Sequence, residues 1–382
     1  MIKKPYLLSP GPTPVPPEVR QAGSLPLIHH RTSEFSGIFM EVTEALRYIF
    51  QTAQDVYTLT SSGSGAMEAA VVNILDPGDK ALVLNAGKFG DRWGKICRTY
   101  GIAVQEIKVP WGSDIPAANL AEQIDAHPDV RAVFSTLSET STGTVYDIEG
   151  FARITAATDT LLVVDGISGL GAMPCPMDRW GVDVLISGSQ KSFMTPPGLA
   201  FIAFSPKAWR SVETSSLPRF YFDAQAAHNA LQKQTSAWTP AISLIRQLWE
   251  ALKIMRSIGL EGLISHHRAM AEATRAGVQA LGLDLLSQIP GNILTAVKTP
   301  HGLDGVRLVK LMQDRFKAHI AGAQDPHKGE FFRIGHLGFI GGFDIITALT
   351  ALEMTLGEMG YTDFEQGGSL SAAQTIIKEN WI

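Results

Sequence analysis

The sequence predicts an α/β protein: a large, doubly wound, mostly parallel sheet domain followed by a smaller α+β C-terminal domain. Three observations carry this. From 56 to 204, short apolar runs alternate with helical stretches, as in successive strand–helix–strand units. Small polar turns follow several of those runs, at 60–65, 85–90, 138–144 and 187–192, and ligands of such sheets gather outside the carboxyl ends of the strands. Beyond Gly259, helical stretches outweigh strands. The expected division is an N-terminal arm over 1–20, a large domain over 21–258 and a small domain over 259–382.

Composition sets the class. Of 382 residues, 45% are hydrophobic and 18% charged, enough for an ordinary folded chain with a large core. A net charge of −5 makes no case for nucleic acid or anionic membrane. No apolar run approaches the ~20 residues of a membrane span, and the leading apolar stretch stops at Pro10, too short for a signal peptide. Cys97 and Cys175 are the only cysteines, which points to a reducing, cytoplasmic setting and away from structural zinc or iron–sulfur sites.

Taken in order, 9–17 is proline-dense and reads as an extended arm along a cleft or a partner subunit. His29-His30-Arg31 reads as loop or cleft lining. Residues 35–51 have the spacing of an amphipathic helix. A strand at 56–59 runs into Thr60-Ser61-Ser62-Gly63-Ser64-Gly65 and a helix to 75. That turn presents free N–H groups at a helix start, either as a phosphate cradle or as an ordinary N-cap. The strand at 80–84 ends in Asn85-Ala86-Gly87-Lys88-Phe89-Gly90, where Phe89 either stacks on a flat cofactor or packs under the helix predicted for 91–100. Strands follow at 104–109 and 130–137, the second ending in Ser138-Glu139-Thr140-Ser141. A helix over 148–157 precedes the apolar strand that ends in Asp165. Next come a strand over 182–186, the turn holding Lys191, and a strand over 199–204.

A carboxylate at one strand end and a lysine after a later one form the pair that pyridoxal phosphate chemistry needs. The amine forms a Schiff base with the cofactor aldehyde, and the carboxylate keeps the pyridine nitrogen protonated. A helix is predicted over 242–258, before the break at Gly259; beyond it come helices over 263–281, 306–316 and 343–359, and strands over 293–297, 319–323 and 331–334. Arg333 is a charge inside an apolar run. It is either an ion-paired strand arginine or a bidentate clamp for a substrate carboxylate.

Ser187-Gly188-Ser189-Gln190-Lys191 followed by Pro196-Pro197-Gly198 resembles the class V pyridoxal-phosphate-dependent aminotransferases, in particular the alanine–glyoxylate and serine–glyoxylate group. So do Pro10-Gly11-Pro12-Thr13, Ser62-Gly63-Ser64-Gly65, Glu139-Thr140-Ser141-Thr142-Gly143 and Arg333-Ile334-Gly335-His336. The resemblance implies the aspartate-aminotransferase-like fold type I. It makes Lys191 the Schiff-base lysine and Asp165 the partner of the pyridine nitrogen. It puts Ile167 and Phe89 on opposite faces of the ring, Ser62, Gly63, Ser64 and Gln190 at the phosphate, Thr140 by the ring hydroxyl and Arg333 at the substrate carboxylate. Thr239 matches a position that reaches a neighbouring subunit's phosphate, implying a homodimer. The sequence departs from many relatives at Ser64 (often histidine), Phe89 (tryptophan) and Ser236 (tyrosine). The implied reaction is ping-pong transfer of an amino group from serine or alanine to a 2-oxo acid, glyoxylate first. A lyase or desulfurase on the same fold is an alternative, and so is a partner subunit of a hydrogenase, a label some relatives carry.

Overall fold

The computed structural model describes residues 4–380. Its centre is a seven-stranded sheet in the order Val56–Thr60, Leu199–Phe204, Val184–Gly188, Leu161–Asp165, Val130–Thr136, Lys80–Asn85, Ala103–Lys108. Only Leu199–Phe204 runs against its two neighbours. The cause is its connection: a short turn through Pro196, Pro197 and Gly198 has no helix to cross the sheet, so the chain can only reverse. The other linked pairs are parallel, with Asp165 opposite Ile186.

Every residue of Leu161–Asp165, Val184–Gly188 and Leu199–Phe204 is buried. That is why these strands read as continuous apolar runs rather than alternating ones. The main apolar cluster joins this sheet to the helices Ser33–Phe50, Gly63–Ile74 and Ile242–Ile258. A second cluster lies on Leu260–Ala280, Gly305–Phe316, Gly342–Glu358 and Gly368–Glu379, with the antiparallel strands Ala321–Gly322, Phe331–Gly335 and Leu294–Lys298. A smaller third one packs Ala172 against Leu294, Phe331 and Leu337, seating the Arg333 strand on the large sheet's loops.

The N-terminal arm is more structured than its prolines suggest. Tyr6–Leu7 pairs in parallel with Ala318–His319. The Leu8 carbonyl accepts from Gly335 N–H, and the Leu8 side chain belongs to the second cluster. Pro17–Ala22 is helical, with proline in its first turn, the helical position that tolerates it. The strand expected over 319–323 is split: its first half pairs with the arm and its second with Phe331–Gly335. Helices at Pro206–Thr214 and Ala224–Leu231 link the large sheet to Ile242–Ile258. Each carries a readable start, the Ser205 and Asp223 side chains accepting from backbone N–H groups.

Candidate active site

The strand ends converge on one cleft. Asp165 closes the central strand and is buried, its Oδ1 accepting from Ile167 N–H at 2.8 Å. Lys191 follows Val184–Gly188 in a turn stapled by serine and threonine. The Ser189 hydroxyl donates to the Pro196 carbonyl and accepts from Leu199 N–H, Thr195 Oγ1 donates to the Ser189 carbonyl, and the Ser192 hydroxyl donates to the Leu170 carbonyl. Such local bonds explain why a hydroxyl-rich turn is needed there. The lysine is buried, and its Nζ donates to the Pro10 carbonyl at 2.6 Å.

The arm forms the roof. Thr13 N–H donates to the Gln190 carbonyl and Thr13 Oγ1 to the Lys191 carbonyl. Gly11, at φ +137°, lies so close that a Cβ there would meet Lys191 Cε at 2.6 Å. Only glycine combines this backbone with that approach.

Burial sets the charge states. It draws the Lys191 amine down to about 8, opposed by Asp165 and assisted by Arg333 and Arg92. It pushes the Asp165 carboxyl up to about 7, opposed by the Ile167 N–H, the Arg92 guanidinium and the Lys191 ammonium, while Glu139 pushes the same way as burial. A desolvated lysine keeps a neutral, nucleophilic fraction near neutral pH.

Ser62 ends the turn after Val56–Thr60 and is the N-cap of Gly63–Ile74, yet its side chain caps no N–H. Gly63 faces Ile167, Gly188 lies against Gln190 and Ile167, and the Gln190 amide oxygen is buried without a partner among the described residues. Thr140 bonds Ser168 through its hydroxyl, and its carbonyl accepts from Arg333 Nη1 at 3.0 Å. Arg333 is buried in its strand, Nη2 donates to the Gly322 carbonyl at 2.7 Å, and Nε has no partner among the described residues. Two of five guanidinium N–H donors are thus used and three are spare. Burial lowers its pKa to about 10, with Glu139 opposing, so the group stays a cation at neutral pH. Thr239 is exposed, on the loop after Trp238. Among the described residues of one chain, no hydrogen bond or ion pair links it to the Lys191 cluster. Arg31 is exposed as well.

Phe89 lies in the first turn of Lys88–Thr99, which begins earlier than predicted. Two residues with no assigned role on sequence grounds hold it there. Glu139, wholly buried, accepts from Phe89, Gly90 and Ser141 N–H groups and from the Ser141 hydroxyl, so it caps this helix from a neighbouring strand end. Burial pushes its carboxyl up while those donors pull it down. Arg92 donates to Ser64 Oγ at 2.9 Å, and its guanidinium lies 4.7 Å from the centre of the Phe89 ring. Its signal was a cation early in a helix, where the dipole disfavours one.

The family model of the class-V aminotransferases matches residues 5–297. The chain belongs to that family. This aminotransferase is 42% identical over 382 residues to the soluble hydrogenase small subunit of Synechococcus sp., covering 99% of each chain. It is 35% identical to the L-aspartate–glyoxylate aminotransferase of Paracoccus denitrificans, covering 96% and 94%. It is 33% identical to the serine–glyoxylate aminotransferase of Hyphomicrobium methylovorum, covering 100% and 96%. Among solved structures, the alanine–glyoxylate aminotransferase of Nostoc sp. superposes with a TM-score of 0.90 at 28% identity, covering 93% and 96%. The fold is that of the pyridoxal-phosphate-dependent fold type I enzymes, a family that uses this cofactor in general.

Cys97 and Cys175 are both buried, and burial pushes both thiols up to about 12. Neither is a poised thiolate nucleophile of the kind a desulfurase uses. Among the described residues no group of three or more His, Cys, Asp or Glu is placed to hold a metal ion, and no helix is long and apolar enough to cross a membrane.

Proposed function

We propose that this aminotransferase carries the amino group of serine or alanine to glyoxylate, in two half-reactions, with pyridoxal phosphate as its cofactor. The observation that carries the reading is one buried cleft holding an amine, a carboxylate and a guanidinium with spare donors: Lys191, Asp165 and Arg333. The buried polar atoms without partners fit a polar ligand, since the Gln190 amide and Arg333 Nε both await one.

Ser62, Gly63, Ser64 and Gln190 would hold the phosphate at the start of Gly63–Ile74. Ile167 and Phe89 would flank the ring, with Thr140 beside its hydroxyl. When bound, the cofactor supplies an electron sink for charge left on the substrate Cα. Lys191 Nζ would be the attachment point for the cofactor and the general base that takes the substrate Cα proton. Asp165, as carboxylate, would hold a proton at the pyridine nitrogen. Arg333 orients the substrate by its carboxylate. The arm, by closing over Lys191, narrows the entrance and favours a small side chain.

The remaining cations also support an uncharged donor. Arg31 is exposed, and Arg92 is engaged with Ser64 and Phe89. We take the enzyme to be a cytoplasmic homodimer. Free, buried thiols suit a reducing compartment. Leu25, Leu27, Phe220 and Tyr221 expose apolar surface, and Trp238, next to Thr239, stacks on Phe220. Thr239 would then reach the second copy's phosphate. The test is a panel of amino donors against glyoxylate and pyruvate, read as half-reaction spectra. Serine and alanine should convert bound cofactor to its amine form fastest. Faster conversion by aspartate or glutamate, the donor class named for the Paracoccus relative, overturns the substrate reading.

A further inference from the structure

Two helix starts meet in the cleft, and they are treated differently. At Lys88–Thr99 the free N–H groups of Phe89 and Gly90 are taken by the buried Glu139 carboxylate. At Gly63–Ile74 the N-cap side chain takes none. Arg92 lies between them: Nη1 bonds Ser64 Oγ in the first turn of the uncapped helix, and the guanidinium lies against the face of Phe89. Among the described residues no carboxylate forms an ion pair with Arg92. A half-buried cation without an anion, beside a helix start without a cap, stacks two positive features on one spot.

We infer that Arg92 is the positioning residue of the cofactor's phosphate end: it fixes Ser64 at the helix start and supplies the cation that a phosphate dianion meets there. This rests on the reading of the cleft as a pyridoxal phosphate site. Three geometric elements support it: the bond to Ser64, the contact with the Phe89 ring, and the uncapped helix. The same charge favours the ionised Asp165 carboxyl and the neutral Lys191 amine. Its partners set Arg92 apart from Arg333. Its hydrogen-bonding partner is Ser64 at the helix start, whereas Arg333 bonds the carbonyls of Thr140 and Gly322.

The test uses full-length protein stripped of cofactor and titrated with pyridoxal phosphate and with pyridoxal, which lacks the phosphate. Wild type, Arg92→Gln, Arg92→Lys and Ser64→Ala are compared by dissociation constant. Arg92→Gln should weaken pyridoxal phosphate by about tenfold to a hundredfold, the range for a charged hydrogen bond, and change pyridoxal by less than about threefold on the same reasoning. Arg92→Lys, which keeps the charge without the fork, should recover part of the loss. Ser64→Ala should show a smaller loss in the same direction and serves if Arg92→Gln does not fold. Equal weakening of both ligands, or no weakening of pyridoxal phosphate, overturns the inference. Failure of wild type itself to bind pyridoxal phosphate would instead overturn the proposed function.

Discussion

Replacing Gly11 with alanine tests whether the arm is a working part of the lysine's environment. The added methyl would lie 2.6 Å from Lys191 Cε and 2.7 Å from Cδ, and closer still to Nζ, against the ~3.5–4.0 Å at which carbon atoms rest. The backbone at φ +137° adds a strain of about 1–3 kcal/mol for any residue with a Cβ. Relief requires the lysine to swing away, breaking the 2.6 Å bond to the Pro10 carbonyl, or the arm to lift, breaking the Thr13 bonds to Gln190 and Lys191. With the amine's pKa near 8, most of it is protonated at neutral pH, so the lysine bond is of the charged kind and contributes about 1.5–3 kcal/mol. Gly11→Ala should therefore lose roughly 3–5 kcal/mol by denaturant titration of cofactor-free protein and at least about tenfold in turnover, since one lost charged bond is about a factor of ten. Gly78→Ala is the control. It has φ +89° with nothing within 4 Å, so it should lose only the backbone term of about 1–3 kcal/mol and keep full activity. If Gly11→Ala is no less stable than Gly78→Ala and turns over normally, the arm is not coupled to the lysine.

Lys191→Ala should leave no cofactor mass fixed to the chain after borohydride, by intact-protein mass spectrometry. A fixed mass would move the attachment elsewhere. In cofactor-free protein, burial holds the Asp165 carboxyl up to about 7, against about 4 in an unfolded chain. The folded state thus keeps a proton the unfolded chain has released, and stability falls as pH rises through that window. Asp165→Asn should remove this fall, gaining up to about 4 kcal/mol at pH 8 and little at pH 4. A pH-independent difference in denaturation midpoint contradicts it. Arg333→Ala should raise the substrate KM by tenfold or more, in line with about 2–5 kcal/mol for truncating a buried charge pair, while absorbance shows cofactor still bound; an unchanged KM would clear Arg333 of the substrate.

The sheet was legible because its central strands are buried on both faces and so appear as unbroken apolar runs, Leu161–Asp165 above all. The grouping of Asp165, Thr140 and Lys191 at strand ends follows from the same rule about open sheets. Arg333 depended on the resemblance, since a strand arginine alone reads equally well as an ion pair. Pro10 and Gly11 were hidden for a different reason: their contribution to the lysine's surroundings is a backbone carbonyl and a missing side chain. Glu139 and Arg92 act across elements, each bonding a residue dozens of positions away, and no local pattern records such a partner. The helix Gly368–Glu379 went unread because it begins after glycines without a side-chain cap.

The pairing of Tyr6–Leu7 with Ala318–His319, and of the Leu8 carbonyl with Gly335, also sets a timetable. On the ribosome Tyr6–Leu7 has no strand partner until Ala318–His319 has followed. The large sheet, whose last strand ends at Phe204, is complete long before that. Until then the arm is held over Lys191 through the bonds of Pro10 and Thr13 to Lys191 and Gln190, and its leading strand is anchored when the C-terminal part arrives. Synthesis that stops before Ala318 leaves Tyr6–Leu7 without its strand partner. Arrival of Ala318–His319 and Gly335 is what fixes the arm's leading end.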